Sequence, residues 1–129
     1  MNQWAAVGAV AVGGAVGSVF RFLVGIWFLQ RVGPGFPWGT FVVNMSGAFA
    51  IGMVLELAQS RLGLHPYARL FLATGILGGY TTFSAFAYET YLLGRDAFTA
   101  QALLYGFGSV VTGVVAVFLG IVIARAVFA

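Results

Sequence analysis

Apolar residues fall into four long blocks, about Trp4–Leu29, Trp38–Leu57, Ala68–Leu93 and Phe98–Ala126. Each reaches the ~20 residues that a membrane-spanning helix needs. The longer blocks predict tilted or interrupted helices. The connections are short. Arg31-Val32-Gly33-Pro34-Gly35-Phe36-Pro37 is rich in turn formers, Ala58–Tyr67 contains Gly63 and Pro66, and Gly94-Arg95-Asp96 reads as a tight link. The first block lacks a basic leader, and its apolar stretch is too long for a cleaved signal, so it reads as a mature helix. Trp4, Trp27 and Trp38 stand near block ends, as an interfacial aromatic belt requires.

The third block is broken. Leu77-Gly78-Gly79-Tyr80-Thr81-Thr82-Phe83-Ser84-Ala85-Phe86 places glycines and hydroxyls in the middle of an apolar run. Lipid tolerates freed backbone groups only where they face protein, water or an ion. Discontinuous helices are a recurring way to build an ion site at the bilayer midplane. Gly78 and Gly79 relax the backbone, and Thr81 and Thr82 offer hydroxyls to freed groups. Two readings stand side by side. In one, freed carbonyls bind a hard cation such as sodium; in the other, the hydroxyls repair a glycine kink and no ion binds.

Composition agrees with a membrane protein read as one domain over residues 1–129. The chain is 61% hydrophobic and 7% charged, against about 25% charged in soluble domains. Six arginines, no lysine and only Glu56, Glu89 and Asp96 give a net charge of +3 with no basic run, so nucleic-acid binding has no support. There is no cysteine, which excludes disulfides and thiolate chemistry. His65, the one histidine, lies in a predicted loop. No catalytic constellation is present, and an enzyme is not expected.

Arginine placement adds a topological expectation. On the N-terminal side, here side A, fall Arg61, Arg69 and Arg125; on side B fall Arg31, Arg95 and the deeper Arg21. Orientation follows a Lys/Arg excess, and none exists here. The chain is therefore expected to insert both ways, which permits an antiparallel homodimer. The spacings Gly13/Gly17, Gly75/Gly79 and Ser109/Gly113 allow close helix approach.

Several deep residues carry candidate chemistry. Phe83 and Phe86, at i and i+3, share a helix face that Thr90 continues. That face is either packing or, through the positive edges of the rings, a weak contact for a small anion. Asn44 lies about 9 Å in from side B at helical rise. Its amide either bonds a neighbouring helix or donates to an anion. Tyr105, Ser109 and Thr112 form a stripe of hydroxyls on the fourth block. Arg21 and Glu89 fall at similar depth. They either pair, or Arg21 faces a water-filled vestibule and attracts anions.

Taken together, these residues resemble the Fluc (CrcB-type) fluoride channels. Gly78-Gly79-Tyr80-Thr81-Thr82-Phe83-Ser84-Ala85-Phe86 with Glu89-Thr90 is similar to that family's third-helix signature. Gly39-Thr40-x-x-x-Asn44 resembles its second-helix motif, and Gly13-Gly14-x-x-Gly17 followed by Arg21 its first. The resemblance covers essentially the whole chain. It implies an all-α integral membrane protein of four helices, broken in the third, assembled as a dual-topology antiparallel homodimer with two fluoride pathways. It implies a shared structural sodium on the backbone carbonyls of Gly78 and Thr81. Phe83, Phe86 and Asn44 match the family's anion-contacting positions, and Tyr105 and Ser109 its fourth-helix polar track. Gly113 stands where some relatives carry a hydroxyl, with Thr112 beside it.

The function so implied is a fluoride-selective passive channel that lowers intracellular fluoride. Its expected location is the plasma membrane (the inner membrane in a Gram-negative cell), and its partners are fluoride, lipid and a second copy of itself. A small dual-topology, proton-coupled multidrug or cation exporter is the alternative, with Glu89 as its acid. A non-transporting assembly subunit accounts for the glycines but for none of the deep polar residues.

Overall fold

A computed structural model describes residues 1–60, 63–95 and 99–128. Arg61, Asp96 and Phe98 lie outside the described residues. Four spans cross in alternating directions, and every described element is helical. The first two are α1 (Gln3–Val32) and α2 (Trp38–Gln59). The third, Pro66–Arg95, comprises α3 (Pro66–Arg69), a π-helical segment (Leu70–Leu77), α4 (Gly78–Tyr80) and α5 (Phe83–Arg95). The fourth is α6 (Ala100–Phe128). Valine-rich sequence is helical here because hydrocarbon offers no other partner for the backbone.

The ends follow local chemistry. Asn2 caps α1, its Oδ1 accepting from the Trp4 N–H at 2.9 Å. α1 stops at Gly33, whose φ of 86° suits glycine, followed by Pro34. Pro66 opens the third span, where His65 Nδ1 accepts from the Tyr67 N–H at 3.3 Å. One expected boundary is corrected: Gly94 and Arg95 do not form a link but complete α5. In lipid, the helix continues while its carbonyls still need internal donors.

Glycines set the packing. A Cβ on Gly13 would meet Phe71 O and the Cα of Gly75, and one on Gly79 would meet Gly14. The two GxxxG spacings therefore face each other within one chain, binding α1 to the third span. Gly52 and Gly120, whose added Cβ atoms would strike Val117 O and Phe49 O, do the same for α2 and α6. The fully buried core is small, with Val43 and Tyr105 its largest side chains. Bulky residues such as Phe107, Val114 and Phe118 point outward, as a lipid-facing or partner-facing surface requires.

At side A, Arg125 Nε and Glu56 Oε1 form an ion pair at 2.8 Å that joins α6 to α2. The Arg125 side chain is 66% exposed, so the pair is weak. Glu56→Gln is expected to leave both the melting temperature in detergent and ion flux unchanged, measured against the parent protein.

Candidate ion pathway

The break lies halfway along the third span, but not where its glycines suggested. Gly78 and Gly79 are helical, and Gly78 has an ordinary φ of −64°. The chain leaves the helix at Thr81, which is extended (φ −77°, ψ 155°), and Phe83 starts α5. Gly79 serves close approach, against Gly14, while a Cβ on Gly78 would meet only Ala73 O at 3.8 Å, an ordinary contact.

The π segment that precedes the break had no signature in the sequence. Such segments often accompany functional sites.

Three side chains hold the broken backbone. Asn44 on α2 binds it twice: its Nδ2 donates to Thr82 O at 3.0 Å, and its Oδ1 accepts from Thr82 N at 2.8 Å. Thr81 Oγ1 donates to Leu77 O at 2.9 Å. Thr82 Oγ1 accepts from Ala85 N at 3.3 Å, which makes Thr82 the N-cap of α5. Of the two readings open for Asn44, the interhelical bond is therefore made. The second N–H of its Nδ2 is unused among the described residues.

These bonds use up amides that a continuing helix would direct across the break. The Thr82 and Ala85 amides are taken by side chains, so neither bonds the carbonyl, of Gly78 and of Thr81, that a continuing helix would give it. Gly79 O accepts a long 3.5 Å bond from Ser18. On the other side of the gap, Phe83 and Ser84 open α5 behind the Thr82 cap. Carbonyls carry partial negative charge and helix N-termini partial positive charge. One break thus presents a cation-favouring end and an anion-favouring end.

A cleft of about 370 Å3 adjoins the break, lined by Asn44, Gly78, Thr81, Phe83, Phe86 and Ser109, among others. Phe83 is 78% exposed, and its ring centroid is 5.7 Å from that of Phe86. Ser109 Oγ is buried against the cleft with no hydrogen-bond partner among the described residues. Thr112, expected in the same stripe, is not among the lining residues. Its hydroxyl donates to Gly108 O at 2.7 Å and lies 3.1 Å from Met45 Sδ. Gly113 takes its place on the cleft wall. The Thr90 hydroxyl is likewise turned to its own helix, on Phe86 O at 2.8 Å.

Toward side B the polar groups interlock. Glu89 accepts from Thr40 Oγ1 on one oxygen and from Tyr105 OH on the other, each at 2.7 Å. Of the two readings open for Arg21 and Glu89, the direct pair is not made among the described residues. Two neutral hydroxyls satisfy the carboxylate instead, and Arg21 Nε is buried without a hydrogen-bond partner among the described residues. A second cavity, of about 470 Å3, opens beyond this cluster and is floored by Thr40 and Glu89. Ser46, whose Oγ is 2.9 Å from Tyr80 OH, and Gly47, packed on Thr81, also secure the break. Both stand within two helical turns of Asn44, the one signal that pointed to them.

Four apolar spans, a discontinuous third helix and a polar cleft beside the break define a small polytopic membrane protein with a site inside its helix bundle. The chain belongs to the CrcB family: residues 8–121 match the family described as CrcB-like protein, Camphor Resistance (CrcB). It is 49% identical over 126 residues to the fluoride-specific ion channel FluC of Rhizobium meliloti (strain 1021), covering 98% of each chain. It is 45% identical over 122 residues to the FluC of Agrobacterium fabrum, covering 95% of this chain and 98% of that one. The FluC of Roseiflexus sp. (strain RS-1) is 49% identical over 117 residues, covering 91% and 94%.

Proposed function

We propose that this protein is a fluoride-specific passive channel of the plasma membrane. The observation that carries this reading, beside the family, is the cleft. Its polar surface is neutral: ring edges at Phe83 and Phe86, the unpartnered Ser109 hydroxyl, the spare Asn44 N–H and the start of α5. Such groups replace part of an anion's hydration without trapping it, which conduction requires. Arg21, with its unsatisfied Nε, draws anions toward the path. Tyr105 walls the path toward side B, and Thr112 supports it through Met45.

The cleft is open on the side where Phe83 is exposed. A second, inverted copy would close it, and the even arginine distribution permits that insertion. The functional unit is then an antiparallel homodimer with two pathways. A structural sodium fits the same assembly. The carbonyls of Gly78 and Thr81 lack the backbone donors that a continuing helix would give them and are hard oxygen ligands. Held by these carbonyls, a sodium would add positive charge beside the break.

A proton-coupled exporter would need a free acid in a central chamber. Glu89 instead has both oxygens bonded and borders the side-B cavity.

Expression in a bacterium lacking its own fluoride exporter tests the function. Growth in fluoride is expected to recover with this chain, and failure at normal membrane expression contradicts the reading. Phe83→Ile keeps apolar bulk but removes the ring edge, so it is expected to lose the rescue. Glu89→Gln still accepts on one oxygen and is expected to retain more of it. The reverse order would favour the exporter.

A further inference from the structure

We propose that Phe36, on the loop between α1 and α2, is the side-B lid of the ion pathway, and that its ring must leave Tyr105 for an ion to pass. The inference rests on the channel reading. Tyr105 is 1% exposed and lies between two rings. Phe86 packs on it at 5.2 Å between centroids on the side of the cleft, and Phe36 at 5.3 Å, edge-on at 83°, on the side of the 470 Å3 cavity. The cluster of Thr40, Glu89 and Tyr105 separates these two spaces. Phe36 is the outer cover of that cluster and the one member of the ring stack carried on a loop.

The loop is built to move as a unit. Gly33 and Gly35 flank Pro34, and Pro37 fixes the entry to α2. Gly33 already has a φ of 86°, and an added Cβ on either glycine would meet nothing within 4 Å. Phe36 rests only partly buried, against Tyr105 and, at 4.7 Å, Trp38. Swinging it outward breaks ring contacts but no hydrogen bond of the cluster. Phe36 is therefore a positioning residue: it acts on the ion through Tyr105.

The test is liposome flux of fluoride and chloride for the parent protein and for Phe36→Ala, Phe36→Leu and Phe36→Trp, with melting temperatures in detergent. Phe36→Ala is expected to raise fluoride flux about two- to tenfold, the rate equivalent of losing one edge-to-face ring pair. Phe36→Leu should fall between it and the parent, and Phe36→Trp below the parent. Chloride flux should stay at background, because Phe83 and Phe86 are untouched. A merely structural role would move flux and melting temperature down together. Unchanged or reduced fluoride flux in folded Phe36→Ala, or an equal rise in chloride, overturns the lid. Absence of fluoride flux in the parent protein would instead overturn the channel reading itself.

Discussion

Asn44→Leu is expected to abolish fluoride flux and to lower the melting temperature more than any other single change in the pathway. The side chain makes both bonds to Thr82 at the break. Leucine leaves the N–H and C=O of Thr82 unpaired at mid-membrane depth, a cost of about 2–6 kcal/mol for the two groups. Asn44→Asp separates holding the break from conducting. Its carboxylate still accepts from the Thr82 N–H, so the protein should fold. The added negative charge at the cleft should nevertheless reduce fluoride flux to near background. Flux in Asn44→Asp equal to that of the parent would show that the amide is remote from the ion.

The second large effect is steric. A Cβ on Gly17 would collide with Ile76 O and Tyr80 N, atoms of a backbone that cannot turn aside. Gly17→Ala must push α1 from the third span near the break, at about 1–3 kcal/mol or more. It is expected to lower the melting temperature sharply and to reduce flux. Gly8→Ala and Gly14→Ala are the controls, because their added Cβ atoms meet nothing within 4 Å. They should be neutral or slightly stabilising, since alanine is the better helix former. Equal effects at positions 14 and 17 would mean that general flexibility, rather than contact, is what glycine supplies.

Much of this was legible in the sequence because lipid leaves few choices. Unbroken apolar blocks must be helices, and a polar break or a deep amide must have a protein partner. The four spans, the interrupted third one and the importance of Asn44 follow from that rule. The location of the break was less legible. Glycine marks a flexible backbone and a close approach equally well, and at Gly79 the approach of Gly14 decides. Thr81 and Thr82 carry the actual turn because their hydroxyls, with Asn44, replace the lost helical bonds.

Pairings between helices were not legible. Depth alone placed Arg21 level with Glu89, but rotation about the helix axes turns Glu89 to Thr40 and Tyr105. A helical turn advances by 3.6 residues, so one position of phase separates Thr112, outside the cleft, from Gly113 on its wall. The ring stack from Phe83 to Phe36 joins three elements and has no linear signature.

The central claim is selective, passive fluoride conduction. Purified protein in liposomes loaded with potassium fluoride or potassium chloride, with potassium permeability supplied by an ionophore, measures it directly. Rapid fluoride efflux is expected without a proton gradient, with chloride efflux no faster than from empty vesicles. Equal fluoride and chloride rates, or fluoride efflux at the empty-vesicle rate, would contradict it.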